Sequence, residues 1–307
     1  MKPKSETNPH SPTKLAIGLA FIGVLLIWTT TPLAIAKSVG STPFTSALAR
    51  MAIGALFCLA VLSLRGKRLS LGRETVWPYL IGGLSIFFTM GLIYKAAHAI
   101  PSGWIAVLFG LSPLITGVMS IPFEPSAKLT GLKTAGLCLG VIGLYQIFAA
   151  GESLQDVPTW SIGLTLLAVV IAGASAVAMR HLTQHRTISG MELSTGGLLV
   201  ATPLFAIAAL TLEPVSQVQF TTTELATIAY LGLIGSGIGF TLYYFLLKQM
   251  SASRVALITL ITPITSLALG AYLNNEPLLP SVWIGAACVS IGLLLYEFKP
   301  KLGWRRL

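Results

Sequence analysis

Lys95 and His98 are the residues whose types and spacing most directly suggest chemistry. They lie three residues apart in an apolar stretch, and side chains at that spacing lie on one face of a helix. A lysine and a histidine aimed together would bind a carboxylate or another anionic group, and His98 is expected to titrate near neutral pH. The alternative stays open that both lie at a helix end and extend their polar tips toward water.

Arg50 is a second candidate. It lies about seven residues into an apolar run, hence about 10 Å from its start at about 1.5 Å per residue. A charge in hydrocarbon costs about 2.5 to 3.5 kcal/mol on insertion scales, and no Asp or Glu lies in the middle of an apolar run to neutralise it. Arg50 must therefore contact backbone carbonyls, water or a ligand, either as an anchor or as a binding residue. The lack of carboxylates also disfavours proton coupling through Asp or Glu and leaves His98 as the candidate relay.

Aromatic and hydroxyl side chains complete the candidate binding site for a flat or amphipathic molecule. This set consists of Trp28, Thr31, Tyr94, Tyr243 and Tyr244. Other tryptophans fit an aromatic belt at the membrane interface. The belt set consists of Trp77, Trp104 and Trp160.

Three prolines, Pro32, Pro113 and Pro263, lie inside apolar runs and predict interrupted helices. Each removes a backbone donor and leaves a carbonyl for a nearby Thr or Ser to satisfy. These prolines could serve as hinges for gating, or they could reflect helix packing alone.

The usual motifs of soluble enzymes and metal sites are missing. The sequence has no phosphate-binding loop and no His-Glu-x-x-His, and its three cysteines, Cys58, Cys138 and Cys288, are far apart in apolar runs where we expect buried packing. The Gly-rich string from Gly232 to Gly239 lies inside an apolar run, where small residues let helix backbones approach closely; we expect the same of Gly136 and Gly140. We therefore predict no enzyme, no metal and no cofactor.

The elements that carry these residues are membrane helices. Apolar residues make up 54% of the chain and charged residues 10%, which a soluble core of this size could not accommodate. A crossing helix needs about 20 apolar residues. The candidate spans are 15–36, 44–64, 77–97, 101–121, 131–149, 161–179, 192–212, 225–247, 253–273 and 281–298.

The positive charges predict the orientation of these spans. The net charge of +10 does not indicate nucleic acid, because the basic residues lie in short clusters between apolar runs. With the N-terminus inside, all of the 20 Lys and Arg residues lie on the cytoplasmic side except Lys37, Arg50 and Lys95. This asymmetry predicts that both termini are cytoplasmic.

The two halves of the chain resemble each other. Tyr94–Pro113 aligns with Tyr244–Pro263 without a gap, so that Ser112-Pro113 matches Thr262-Pro263; further on, Gly136 and Gly143 match Gly285 and Gly292. Each half holds five spans, an odd number, so the second copy must enter the membrane upside down. The sequence therefore predicts an all-α integral membrane protein of ten transmembrane helices, arranged as two inverted five-helix repeats around a central cavity.

Several motifs of the second half carry a family resemblance. They are the Gly-rich run from Tyr230 to Phe240, Leu247-Lys248 before Ser253-Arg254, Thr262-Pro263, Glu276-Pro277 and Gly292; in the first half, Trp28, Pro32, Pro43 and Arg50 match as well. With them, the chain resembles the EamA-like branch of the drug/metabolite transporter superfamily. The resemblance implies a central cavity, alternating access, and export of metabolites, amino acids or toxic compounds.

The predicted organisation is a cytoplasmic tail at 1–14, a first repeat at 15–149, a periplasmic linker at 150–160, a second repeat at 161–298 and a basic cytoplasmic tail at 299–307. We expect a secondary transporter of the bacterial inner membrane that exports a small metabolite such as an amino acid. Import or exchange of another metabolite, drug or nucleotide-type substrate stays open, and an enzyme acting on lipid-linked substrates is less favoured. The expected partners are the bilayer and a small molecule, with a homodimer left open.

Overall fold

The structure, a computed structural model, describes residues 13–40, 42–123, 130–149, 157–214, 218–275 and 280–297. These residues form helices and connections, and no strand occurs among them. The helices are α1 (Lys14–Ser38), α2 (Pro43–Leu64), α3 (Arg73–Ala96), α4 (Ser102–Phe109), α5 (Ser112–Met119), α6 (Gly131–Ala149), α7 (Thr159–Thr183), α8 (Gly190–Leu212), α9 (Thr222–Tyr230), α10 (Gly239–Gln249), α11 (Ala252–Ala256), α12 (Thr262–Asn274) and α13 (Pro280–Glu297). A π-helical segment, Leu231–Ile238, joins α9 to α10, and a 3₁₀ turn, Leu257–Leu260, follows α11.

Seven helical stretches within these residues are long and apolar enough to cross a membrane. They are Lys14–Ser38, Pro43–Leu64, Arg73–Ala96, Ser102–Met119, Thr159–Thr183, Gly190–Leu212 and Thr222–Gln249. Shorter apolar stretches lie in α6 and α13. The prediction of an all-helical membrane protein is confirmed, whereas the count of ten spans stays a prediction. Most of the predicted N-terminal tail, the predicted C-terminal tail and most of the predicted linker lie outside the described residues.

One end of the bundle, named here the Glu213 face, is tied together by a carboxylate. Glu213, at the end of α8, accepts hydrogen bonds from the backbone N–H groups of Phe44 (2.6 Å) and Thr45 (2.8 Å). The N-cap residue of α2, Thr42, makes no side-chain cap of its own. Glu213 therefore satisfies N–H groups that the first turn of any helix leaves unpaired, and its charge favours the positive end of the helix dipole.

The opposite end, named here the Arg180 face, is tied by cations bonded to backbone. Arg180, at the end of α7, donates to the carbonyl oxygens of Leu247 and Lys248, and Lys248 donates to the carbonyl of Ile188. Positive side chains at helix C-termini complement the unpaired carbonyl groups there.

The first and last described helices reach this same face. Near the start of α1, Ala16 lines a cleft together with Ser189, the residue next to Ile188. Tyr296, near the end of α13, packs on Gly117 of α5, and Ser120, directly after α5, lines a cavity together with Arg180. The start of α1 and the end of α13 thus both lie at the Arg180 face.

Helices α6 and α13 cross at glycines. A Cβ at Gly136 would lie 2.4 Å from the carbonyl oxygen of Gly292, and one at Gly143 would lie 2.6 Å from that of Gly285. Such short distances mean that the two backbones touch, as small residues permit in membrane helices. The pairing of 136 with 292 and of 143 with 285 makes the two helices antiparallel. Gly136 and Gly140 have the packing role that the sequence predicted, the latter against Leu114.

The three prolines occupy two kinds of position. Pro113 and Pro263 lie at the start of α5 and of α12, each directly after a break in a membrane segment. The two breaks adjoin, since a Cβ at Gly110 would lie 3.2 Å from Cγ of Pro263. Helix α1 instead runs through Pro32 without a break, so the predicted interruption there is wrong.

Hydroxyl groups explain why α1 tolerates its proline. Thr31 Oγ1 donates to the Ile27 carbonyl over 2.7 Å, and Ser266 of α12 donates to the Thr29 carbonyl over 2.8 Å. Polar side chains of the same and of neighbouring helices thus bond to the carbonyl groups around the proline, which stabilises a continuous helix in an apolar environment.

Two smaller expectations are corrected by burial. Trp104 is 4% exposed and packs inside the bundle rather than in an interfacial belt, whereas Trp77 and Trp160 are exposed. Cys138 is exposed, unlike Cys58, because it lies on the side of α6 away from the glycines that face neighbouring helices.

Candidate functional site

A cavity lies between α1, α2, α3, α4 and α12, on the Glu213 side of the bundle. We name it the Arg50 compartment. Its volume is about 100 Å³, and its lining includes Thr31, Pro32, Arg50, Ile93, Ile105 and Thr262. Arg50 is the charged residue among the described residues that line it.

A second cavity adjoins the first toward the Arg180 face. We name it the Tyr243 compartment. Its volume is about 80 Å³, and its lining includes Ser85, Thr89, Ser175, Met179, Tyr243 and Tyr244. Hydroxyl groups and aromatic rings supply its polarity, since none of the described lining residues carries a charge.

Four side chains line both compartments, so the two cavities adjoin at this set, which we name the divider. This divider consists of Trp28, Met90, Phe109 and Phe240. The rings of Trp28 and Tyr243 lie 5.3 Å apart, centroid to centroid, and those of Tyr243 and Tyr244 lie 5.4 Å apart. Aromatic contacts at these distances are favourable and continue the divider into the wall of the Tyr243 compartment.

Arg50 is among the largest almost fully buried side chains of the described residues, with 1% exposure. Its Nε donates to Oγ of Ser236 over 2.9 Å, and its Cζ lies 6.0 Å from the ring centroid of Tyr94. The Nη1 atom has no hydrogen-bond partner among the residues that the structure describes. A guanidinium stays protonated in proteins, so the Arg50 compartment has a permanent positive charge with donor capacity to spare.

The π-helical segment places Ser236 against this guanidinium. The π-helical segment and α2 approach each other closely at two glycines, where a side chain would not fit. A Cβ at Gly232 would lie 3.0 Å from the Arg50 carbonyl oxygen, and one at Gly54 would lie 2.9 Å from Cβ of Ser236. Glycine at both positions brings the two backbones together, as expected from the Gly-rich sequence. π-helical turns occur frequently at functional sites.

The predicted site residues fall into two groups. Trp28, Thr31 and Arg50 line the Arg50 compartment, and Trp28 also lines the Tyr243 compartment with Tyr243 and Tyr244. Tyr94 is buried beside Arg50 without lining either cavity.

Lys95 and His98 lie elsewhere. Both are exposed at the end of α3, at the Glu213 face, and neither lines a compartment. Partial desolvation and the nearby Lys95 charge lower the pKa of His98, against an opposing effect of Glu213. The hypothesis that Lys95 and His98 bind an anion stays a prediction, at the bundle end rather than in its interior.

Some residues of the site were not found from the sequence. The divider residues Met90 and Phe240 occupy matching positions when the alignment of the two halves is continued toward the N-terminus, and this symmetry was the signal that could have revealed them. Ser236 and Thr89 had no such signal, because serine and threonine are common in membrane helices. No group of three or more His, Cys, Asp or Glu residues able to hold a metal occurs in the described parts of the chain.

Comparison with known proteins decides the family. The model of the EamA-like transporter family matches residues 14–149 and matches again at residues 159–298. The chain belongs to the EamA-like transporter family. The resemblance inferred from its motifs is thereby confirmed, and this EamA-like protein is a transporter rather than an enzyme.

The relatives of this EamA-like transporter include bacterial membrane proteins of similar length. The uncharacterized transporter YoaV of Bacillus subtilis is 25% identical over 91% of this chain and 96% of its own. The uncharacterized inner membrane transporter YedA of Escherichia coli K12 is 26% identical over 92% of both chains. A third relative, from Escherichia coli K12, is named "Probable amino-acid metabolite efflux pump" and is 25% identical over 73% of this chain and 77% of its own. This EamA-like transporter is thus a multi-pass inner-membrane protein.

A solved crystal structure has the same fold. It superposes with a TM-score of 0.71 at 20% sequence identity and covers 93% of this chain and 97% of its own. At that identity the similarity concerns the fold alone.

Proposed function

We propose that this EamA-like transporter exports a small amphipathic metabolite, such as an amino acid, by alternating access. The two-compartment cavity carries the proposal. We place the gate of the carrier at the divider, whose side chains line both the Arg50 compartment and the Tyr243 compartment. In this proposal a substrate moves between the compartments only when these side chains and their helices move, as in a carrier. Export is supported by the relative named as an efflux pump.

We further propose that the chain forms ten transmembrane helices in two inverted repeats. The family model matches each half separately, which favours a duplication. The glycine crossing supports inversion: Gly136 matches Gly285 and Gly143 matches Gly292 in sequence, yet Gly136 contacts Gly292 and Gly143 contacts Gly285. Such an exchange of partners is expected across a two-fold axis. Because α6 and α13 are antiparallel, that axis runs across the helices, which would be in the plane of the membrane.

The paired breaks before Pro113 and Pro263 are the proposed hinges. They occupy matching positions in the two halves, and they touch each other through Gly110. A conformational change at one break would therefore displace residues at the other break. This coupling would let the two halves move together around the cavity. We propose no such role for the continuous turn at Pro32.

We propose that the Arg180 face is cytoplasmic. The start of α1 and the end of α13 lie there, next to the sequence segments richest in Lys and Arg. Positive residues favour the cytoplasmic side of bacterial membrane proteins. Cysteine labelling from outside intact cells tests the orientation: a cysteine replacing Thr222, which is exposed at the start of α9, should react, and one replacing the exposed Ser70 should not, in a variant that lacks the three native cysteines.

Transport itself is tested with the purified full chain in liposomes. Each vesicle preparation is preloaded with one unlabelled compound from a panel of amino acids, organic acids and nucleosides. Vesicles that contain the protein should accumulate the labelled form of the same compound by exchange, for at least one member of the panel. Empty vesicles and vesicles with an unrelated membrane protein are the controls. If no amino acid or other small metabolite of the panel is exchanged, the proposal is wrong. Growth of overproducing cells on toxic amino acid analogues then separates export, which gives resistance, from import, which gives sensitivity.

A further inference from the structure

We propose that Arg50 binds the carboxylate of the transported molecule, so that the substrate class is a small monocarboxylate with an apolar side chain. This inference rests on the proposed transport function and deepens it. It starts from Arg50, which lines the Arg50 compartment and whose Nη1 atom is buried and has no hydrogen-bond partner among the described residues.

The charge of Arg50 requires a partner. Removing one member of a buried ion pair is strongly destabilising, since an uncompensated charge remains. Within the described residues, Arg50 contacts the hydroxyl group of Ser236 and the aromatic ring of Tyr94, and both groups are neutral. Within the described part of the chain no acidic side chain pairs with it. A negative group from outside the protein would supply the missing charge.

The geometry of the guanidinium favours a carboxylate. The Nε–H group of Arg50 already donates to Ser236. The N–H groups of Nη1 have no partner within the described residues, so they remain for a ligand. Arginine binds carboxylates through paired N–H groups of its planar fork, in hydrogen bonds stronger than those between neutral groups. Ser236, fixed on the π-helical segment, is then a positioning residue that sets the direction of the fork.

The rest of the compartment limits the ligand to one negative charge and a small size. No second Lys or Arg is among its described lining residues, so a phosphate or nucleotide would bring more negative charge than the site can match. A volume of about 100 Å³ accommodates a small organic acid. Ile93 and Ile105 in the lining would contact an apolar side chain, and burial of such a chain contributes about 0.8 kcal/mol per CH₂ group.

Binding to the purified full chain tests this separately from transport. The probes are matched pairs that differ in the carboxylate: L-leucine with L-leucinamide, L-phenylalanine with L-phenylalaninamide, and acetate with acetamide. We expect at least one acid to raise the thermal unfolding midpoint with a concentration dependence that its amide lacks. If no acid binds, or if acid and amide bind equally, the inference is overturned. The liposome exchange assay still decides the proposed function by itself.

Variants of Arg50 assign the binding to this side chain. Arg50→Gln should weaken binding of the acid about 10- to 100-fold, as expected for the loss of a charge-assisted hydrogen bond, with little effect on the amide. Arg50→Lys keeps the charge and should retain part of the acid preference, which guards against a folding defect in the neutral variant. Arg73→Gln is the matched control, since it removes an exposed cation at the first residue of α3, and it should bind like the unmodified protein. Unchanged acid binding in Arg50→Gln overturns the inference.

Ser236→Ala distinguishes positioning from simple packing. In the unmodified background it should weaken acid binding severalfold, and in the Arg50→Gln background it should have no further effect, because its role acts through Arg50. Equal effects in both backgrounds would remove Ser236 from the proposal. A lowered unfolding midpoint without any change in acid affinity would do the same.

Discussion

Arg50 and Lys95 are cations of neighbouring helices with opposite surroundings, and His98 lies close to Lys95. Arg50 has 1% exposure and borders a cavity, whereas Lys95 and His98 are exposed at the end of α3. In sequence they look similar, since each interrupts or borders an apolar run. The difference is that Arg50 lies in the second turn of α2 facing α1 and the π-helical segment, while Lys95 is in the last turn of α3. The partner of a charge is therefore set by the helix face and the neighbouring helices, not by sequence depth alone.

Transport rates give the sharpest test of this comparison. In liposomes, Arg50→Gln should lower the exchange of a carboxylate substrate by about tenfold or more, because a charge-assisted contact is worth about 1.5 to 3 kcal/mol. Lys95→Gln removes a cation of the same sign from the exposed region and should change the rate less than twofold. Initial rates at several substrate concentrations measure both. Equal losses in the two variants would mean that the exposed pair, not the cavity, binds the substrate.

Substitution of Glu213 provides the next test of the comparison. Glu213 is also a charged residue at the end of the bundle, but its carboxylate bonds to the protein itself. Its carboxylate accepts two backbone N–H groups and the Thr45 hydroxyl at the start of α2. Glu213→Ala should lower the free energy of unfolding by about 1 to 2 kcal/mol, as for loss of a helix cap, and should leave the acid-to-amide preference intact. Thermal unfolding combined with the matched binding probes checks both statements. A changed preference would show that the end of the bundle also selects the ligand.

Substitution of Thr89 tests whether an uncharged side chain of the Tyr243 compartment contributes to transport. It is 4% exposed in the Tyr243 compartment, and its Oγ1 has no hydrogen-bond partner within the described residues. Replacing an unpaired buried hydroxyl by a methyl group of similar shape costs little or no stability. Thr89→Val should therefore keep or raise the unfolding midpoint, yet slow exchange about threefold because a substrate loses one net hydrogen bond of about 0.5 to 1.5 kcal/mol. Ser175, in the same lining, offers Ser175→Ala for comparison. A slower rate with a lower midpoint would instead indicate a packing role.

The sequence predicted the membrane class and most helices of this fold, because apolar length is a strong local signal. It also placed Trp28, Thr31 and Arg50 in one region, since polar residues in apolar runs are rare and must find partners. It could not place Ser236 beside Arg50, because that contact depends on the π-helical segment, whose extra residue per turn rotates the following side chains. It also misjudged Pro32, because the bond from Ser266 comes from a helix far along the chain.

The smallest expected effect concerns the protonation of His98. Desolvation and Lys95 lower its pKa, and Glu213 raises it less. A group whose pKa is lower in the folded state than the ordinary value of about 6.5 binds more protons when unfolded, so stability rises with pH through that range. The contribution of His98 is therefore present above about pH 6.5 and is lost as the pH falls through the folded-state pKa.

Histidine NMR with His98→Gln for assignment measures this pKa. It should rise toward the ordinary value in Lys95→Gln, since a repelling charge is removed, and fall in Glu213→Gln, since an attracting charge is removed. Between pH 7.5 and pH 6.5 the exchange rate of the unmodified protein should stay nearly constant, because the pKa of His98 is lowered from its ordinary value and an arginine stays charged over this range. If the rate depends steeply on pH in this range and the dependence disappears in His98→Gln, then Lys95 and His98 take part in the transport cycle. The functional contrast between this exposed pair and the buried Arg50 would then be wrong.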